Sequence, residues 1–178
     1  MRKVVLYIAM SLDGYIANKE GSVDFLDDFQ GLDEGDYGYQ DFVDTIDTCI
    51  MGSNTYKAII GFGYPWPYMD QMTYVVTSNP SFVVESPQTQ ILPAGLHEAI
   101  QALKEQASAK DIWLVGGGQL VKSLLNAALV DKMIITLTPK IIGEGIRLFP
   151  DQLVASNWKL TAQASFDSGM TILTYEKK

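Results

Sequence analysis

The stretch Ile112–Leu125, IWLVGGGQLVKSLL, constrains this chain more than any other. An apolar run of strand length stops at three consecutive glycines. It resumes with Leu120, Val121, Leu124 and Leu125 at the period of an amphipathic helix. Strand, tight turn and helix form the repeating unit of α/β sheets, and in an open sheet ligands gather at the strand ends where such turns lie. Glycine adopts positive φ and lets another molecule approach the backbone, and the free N–H groups at a helix start suit a phosphate. The turn therefore reads in two ways, as a cradle for a nucleotide diphosphate or as a tight reversal packed on a neighbouring strand. Neither common nucleotide fingerprint is present: Val121 stands where a third spaced glycine belongs, and no Gly-Lys-Ser/Thr ending follows.

The rest of the chain repeats the alternation. Strands are predicted at 3–10, 48–51, 73–77, 82–85, 111–115 and 132–138, and helices at 37–46, 54–60, 96–106 and 119–129. Residues 158–166 and 171–176, joined around Asp167-Ser168-Gly169, read as a hairpin, and the Gly- and Asp-rich segment 18–36 as a long loop. The expected architecture is α/β: a mostly parallel central sheet with flanking helices and an antiparallel C-terminal hairpin, forming a single domain over 1–178.

Charge narrows the function. A net charge of −8 argues against a nucleic-acid partner, which needs a basic face. No apolar run approaches the roughly 18 residues that span a bilayer, so no membrane is expected. The apolar start KVVLYIAM breaks at Asp13-Gly14 without a small-residue cleavage site and reads as a strand rather than a leader. The single cysteine, Cys49, lies in the apolar run TCIM and reads as a core thiol in a cytoplasmic protein. One histidine, His97, and one cysteine make no metal site. Between Lys19 and Lys57 there is no basic residue, while ten acids stand among five aromatic residues. Most of these acids read as a solvated face, with one or two free to enter a pocket.

Five stretches in order, LYIAMSLDGYIA, CIMGSNTYKAI, YVVTSNP, IWLVGGGQLVKSLL and LTPKIIGEGIRLFP, resemble the dihydrofolate-reductase-like superfamily. The SLDGYIA phrase and the Pro-x-x-x-Gly-x-Gly stretch are most similar to its branch around the C-terminal reductase domain of riboflavin-biosynthesis deaminase-reductases. The resemblance covers nearly the whole chain. It implies that family's three-layer fold, a cytoplasmic NADPH-dependent oxidoreductase, a small heterocyclic substrate and a homodimer.

Carried over residue by residue, the resemblance puts backbone groups of Ala9 and Ile16 at the nicotinamide carboxamide, with Asp13 and Gly14 in the loop that closes over it. It gives Gly52, Ser53, Asn54 and Thr55 to the cofactor phosphates; read alone, they are an ordinary helix start capped by Ser53 or Asn54. Thr77 and Ser78 match residues that reach the phosphate distinguishing NADPH from NADH; read alone, they open a turn before Pro80. Ser53 stands where family members often carry an arginine facing that phosphate, which leaves NADH open. Gly116, Gly117, Gly118, Gln119 and Leu120 match the pyrophosphate turn.

On the substrate side, spacing back from Met51-Gly52 makes Asp36 the candidate catalytic carboxylate, whose pKa aromatic neighbours would raise, with Tyr37 or Tyr39 as stacking residues. Lys57, Lys140 and Arg147 are the candidate cations near the matched stretches, and the acidic wall suits a neutral or cationic heterocycle. The reading that results is a reductase of a ribosylamino-pyrimidine, of the 5-amino-6-(5-phosphoribosylamino)uracil reductase type. The alternatives are dihydrofolate-type pterin reduction and a non-catalytic nucleotide-binding protein of the same fold.

Overall fold

The computed structural model describes residues 1–93 and 95–178. Its strands are β1 (Val4–Met10), β2 (Tyr15–Ala17), β3 (Ile46–Gly52), β4 (Met72–Val76), β5 (Thr89–Ile91), β6 (Asp111–Gly116), β7 (Lys132–Leu137), β8 (Ile146–Arg147), β9 (Trp158–Ser165) and β10 (Thr171–Lys177). Its helices are α1 (Tyr39–Asp44), α2 (Ser53–Gly61), α3 (Leu96–Glu105) and α4 (Gly118–Asn126), with a 3-10 turn at Asp24–Phe29. Eight strands form one sheet in the order β5-β4-β3-β6-β1-β7-β10-β9, and β2 pairs with β8 beside it. The first six of that order run parallel, and the hairpin β9–β10 joins β7 antiparallel.

Period-two alternation in the central strands sets two faces. Val4 and Leu6 of β1 and Ile112 and Leu114 of β6 pack with Ile100 and Leu103 of α3 and Val121 and Leu124 of α4. Their odd-numbered neighbours Val5, Tyr7, Trp113 and Val115 face the opposite way and pack with Phe42 of α1, Tyr56 of α2, and Trp66 and Tyr68 of the following loop. The sheet is thus aliphatic on one side and aromatic on the other. Cys49 is fully buried on the aromatic side, where burial pushes its thiol up. The starts of β1, β3 and β6 are tied by Arg2, whose guanidinium pairs with Asp47 and donates to Thr48 Oγ1 (2.8 Å) and the Lys110 carbonyl (2.9 Å).

Several elements differ from the sequence reading for local reasons. α1 starts only at Tyr39 because Tyr37 (φ 57) and Gly38 (φ 77) are left-handed, and Ile46 already belongs to β3. α4 stops at Asn126 because Ala128 (φ 58) turns the chain. The predicted strand 82–85 pairs with nothing among the described residues. Phe82 instead packs edge-on to Tyr56 (5.8 Å), and the Glu85 N–H donates to the Tyr56 hydroxyl (2.9 Å). The ladder partner of β4 on its outer side is β5, beyond Pro87. Inside the predicted loop lies the 3-10 turn, which buries Phe25, and just before it the short strand β2, which the sequence reading lacks.

Candidate active site

The ends of β3 and β6 lie side by side, and each runs straight into a helix. Gly52 and Gly117 are the N-cap residues of α2 and α4, and neither helix start has a side-chain cap. Ser53 and Asn54 lie inside α2, so the capping role read from sequence is not theirs. The two starts face each other. A Cβ on Gly52 would stand 4.0 Å from the Gly116 carbonyl oxygen, and one on Gly117 would stand 3.2 Å from Thr55 Oγ1. Unused N–H groups and the positive ends of two helix dipoles therefore converge on one small gap.

The three glycines have separate reasons. Gly116 sits at φ 136, and the Gly116–Gly117 peptide is cis. Gly118 touches the carbonyl of Arg147 in β8, so a side chain there would collide with backbone. The packing reading of the turn holds at Gly118, and Gly116 and Gly117 leave the gap beside α2 free of side chains. Gln119 is exposed and Leu120 is buried in the aliphatic core, so only backbone groups of Leu120 can face a ligand. From Gln119 a cleft of about 640 Å³ runs between α3 and α4, where His97 Nε2 and Ser123 Oγ are 3.3 Å apart.

The remaining cofactor candidates lie on β1, on β2 and just after β4. Ala9 lies near the end of β1, opposite Thr136, and Ile16 lies in β2. Thr77 Oγ1 accepts from the Asn79 N–H (3.1 Å) and Asn79 Oδ1 from the Ser81 N–H (3.0 Å), so Thr77 does open a turn, and Ser78 at its tip is exposed. Asp13 accepts from Ser11 Oγ (2.6 Å) and from the N–H groups of Ile142 (3.2 Å) and Gly143 (2.7 Å). It thereby ties the loop after β1 to the Pro-x-x-x-Gly-x-Gly segment, with Gly14 at φ 88 in the turn.

Asp36 departs from expectation. It is exposed and accepts from the N–H groups of Gln40 (2.8 Å) and Gly38 (3.0 Å) at the start of α1. Those bonds, the Gln40 one foremost, lower its pKa, so the carboxyl raised by aromatic burial is not found there. Tyr37 is no stacking residue for a ligand either: its ring packs edge-on to Phe166 (4.8 Å) and its hydroxyl donates to Asp33 (2.9 Å).

What occupies the candidate substrate side is an aromatic cluster centred on Trp113. Tyr7, Tyr39, Phe42 and Tyr68 all present to the indole at steep angles, with centroids 5.2–6.0 Å away. The indole N–H donates to the Tyr7 carbonyl (3.0 Å), and Tyr7 stacks on Phe42 at 4.1 Å. Burial raises the Tyr7 hydroxyl to about 12, helped by the nearby charge of Asp36, and raises Tyr39 and Tyr68 as well. Sequence reasoning named Tyr39 and missed Tyr7, Trp113 and Tyr68. The signal was available in strand parity, since Tyr7 shares the face of Ala9 and Trp113 that of Val115.

The candidate cations are all engaged. Lys140 pairs with Asp28, Arg147 lies over the Tyr15 ring (5.0 Å), and Lys57 over Phe82 (5.5 Å).

The family model of the RibD C-terminal domain matches residues 2–172. An uncharacterized protein of Bacillus subtilis (strain 168), YwjB, is 37% identical over 171 residues, 96% of each chain. Among solved structures, a putative riboflavin biosynthesis protein from Shewanella sp. PV-4 superposes with a TM-score of 0.85 at 27% identity, over 99% of both chains. Dihydrofolate reductase from Enterococcus faecalis, complexed with NADP(H) and RAB-propyl, superposes at 0.67 with 21% identity, over 99% of this chain and 96% of that one, a likeness of fold.

Proposed function

The chain belongs to the RibD C-terminal domain family, with the dihydrofolate-reductase-like α/β fold, and on that premise we propose that it is an NADPH-dependent reductase of a ribosylamino-pyrimidine. The observation that carries the proposal is the pair of uncapped helix starts, α2 and α4, placed so close that a Cβ on Gly52 would stand 4.0 Å from the Gly116 carbonyl oxygen. A diphosphate needs converging N–H donors and room close to backbone, and both are built there by residues that have no other use for those groups. The dihydrofolate reductase relative was solved with NADP(H), and the Shewanella relative is described as a riboflavin biosynthesis protein; both support the reading.

When bound, the reduced nicotinamide would supply the hydride for the substrate's C=N or C=O carbon, with water supplying the proton for its nitrogen or oxygen, taking a ribosyl group to a ribityl group. The chain's own work is orientation. N–H groups of Gly117, Gly118 and Gln119 and of Ser53, Asn54 and Thr55 hold the diphosphate, and backbone groups of Ala9 and Ile16 fix the carboxamide. The Asp13 bonds to Ile142 and Gly143 keep the flanking loops together over the strand ends. Ser78, exposed at the turn tip, is the residue free to meet the phosphate that marks NADPH. The protein works as a homodimer, a reading supported by the long open edge of β9.

The test is titration of the purified protein with NADPH and with NADH, followed by tryptophan fluorescence. Saturable micromolar binding of NADPH, tighter than of NADH, is expected. Binding of neither removes the reductase reading, and equal binding of both removes the assignment of NADPH.

A further inference from the structure

We infer that Lys57 is the residue by which this protein tells NADPH from NADH, its ammonium group pairing with the 2′-phosphate that only NADPH carries. The inference rests on the reductase reading above and supplies the cation for a phosphate to which that reading gives only the hydroxyl of Ser78. On that reading the diphosphate lies across the starts of α2 and α4, and the nicotinamide half lies toward Ala9 of β1 and Ile16 of β2. The sheet runs β4-β3-β6-β1 past these points, so the adenosine half is carried the other way, over the end of β4.

The end of β4 is where Lys57 is held. Gly52 and Val76 are register partners in the parallel pair β3–β4, so Ser53 opens α2 beside Thr77, the first residue after β4. Lys57 follows Ser53 by four residues and shares its side of α2, and a helical side chain leans back toward the helix start. The turn after β4 reaches toward it. Thr77 Oγ1 accepts from the Asn79 N–H (3.1 Å), and the Asn79 carbonyl accepts from the Phe82 N–H (3.1 Å). That fold of the chain lays the Phe82 ring against Tyr56 (5.8 Å) and under the Lys57 ammonium (5.5 Å). Lys57 is thereby stationed between the first turn of α2 and the Thr77–Phe82 turn. An aromatic face holds a cation without cancelling its charge or occupying its N–H donors.

Charge singles out the same residue. In a chain of net charge −8, the only charged residues between Asp47 and Glu85 are Lys57 and Asp70. Asp70 precedes β4, at the opposite end of that strand from Thr77. Glu85 is exposed, and its backbone N–H is drawn to the Tyr56 hydroxyl (2.9 Å), but among the described residues neither its carboxylate nor any other pairs with Lys57. Arg147 also lacks a carboxylate partner, yet it stands on β8 opposite Tyr15 of β2, on the side given to the nicotinamide. A phosphate beside Ser53, Thr77 and Ser78 thus meets one cation and two neutral turns.

The test is a fluorescence titration of the full chain, wild type and Lys57→Gln, with NADPH and with NADH. Lys57 is exposed and holds no buried partner, so the variant should melt with the wild type. It should raise the Kd for NADPH at least about fivefold and leave that for NADH within about twofold. Lys57→Arg, which keeps the charge, should keep the preference. Raising the salt should erode the preference of the wild type and leave the Lys57→Gln ratio nearly flat. Wild-type NADPH affinity in Lys57→Gln overturns the inference and leaves the reductase reading standing, as does an equal loss of both cofactors. A wild type that binds both equally removes the NADPH assignment and this inference together, and one that binds neither removes the reductase reading as well.

Discussion

Replacing Gly117 and Gly118 by alanine, one at a time, separates packing from ligand binding at adjacent positions. At Gly118 the new Cβ would fall inside 3.0 Å of the Arg147 carbonyl oxygen, with the carbonyl carbon at 3.5 Å and the Leu148 oxygen at 3.8 Å. Backbone of β8 has to move, an overpacking cost of about 1–3 kcal/mol. Alanine recovers at most about 1 kcal/mol through helix propensity, and less in a first turn. The net loss of roughly 1–2 kcal/mol lowers Tm by about 2–8 °C in a chain of this size. Gly117 differs. Its φ of −84° and ψ of 177° are open to any residue, and its Cβ would meet only Thr55 Oγ1 at 3.2 Å, a side-chain atom that can rotate away. Gly117→Ala should shift Tm by less than about 2 °C, within the range of substitutions that break nothing. The methyl group nevertheless fills the gap between the two helix starts, so the Kd for NADPH should rise at least about tenfold, or ~1.4 kcal/mol. Gly117→Asp, which adds a negative charge at the same place, should abolish binding. Circular dichroism melts and a fluorescence titration read both quantities. Wild-type NADPH affinity in Gly117→Ala, or wild-type stability in Gly118→Ala, would refute the assignment of the three glycines.

Three further outcomes follow from the same geometry. Arg2→Met strips the buried guanidinium that joins the starts of three strands. Because Asp47 keeps a 35% exposed side chain that water can solvate, the loss should be roughly 2–3 kcal/mol by urea denaturation, below the cost of stranding a fully buried charge. Acid should weaken the fold through Asp13, Asp33 and Asp36, whose folded pKa values lie below the ordinary 3.8. At Asp13 burial pushes upward but is outweighed by the bonds from Ser11, Gly143 and Ile142; at Asp33 the Ser168 hydroxyl dominates, and at Asp36 the Gln40 N–H. Lowered folded values mean stability that is fully present above about pH 4 and lost as pH falls through them, so Tm should drop below pH 4, with a shallower acid limb in Asp13→Asn. Light scattering should give about twice 19.7 kDa for the wild type, and Leu160→Lys, on the exposed face of β9, should shift it toward monomer; a monomeric wild type would refute the dimer.

The parts of the fold that were legible in sequence are those with a strong period and a hard stop. β1, β6 and α4 announce themselves because alternate residues enter two different cores and glycine ends the run. The misplaced strand at 82–85 shows the limit. Phe-Val-Val-Glu has strand composition, but its neighbour is the Tyr56 side chain of α2, and no local rule reveals which segment will meet β4. β8 has only two residues, and its role as the wall against Gly118 arises from a tertiary contact. α1 was overextended because the apolar spacing of Tyr39, Phe42 and Val43 continues through Ile46, while the left-handed backbone at Tyr37 and Gly38 leaves no mark in periodicity.

The substrate side was legible for a different reason and misread for the same one. Ten acids between Lys19 and Lys57 drew attention to carboxylates, and the search for a buried one settled on Asp36. A carboxylate two residues before a left-handed glycine and four before Gln40 has a nearer use, however: it accepts the first free N–H groups of α1, and that bond lowers its pKa instead of raising it. At Asp36 the acidic run thus serves the start of α1. The aromatic cluster around Trp113, which no acidic run announces, is placed there instead by the parity of β1 and by the loop through Tyr68.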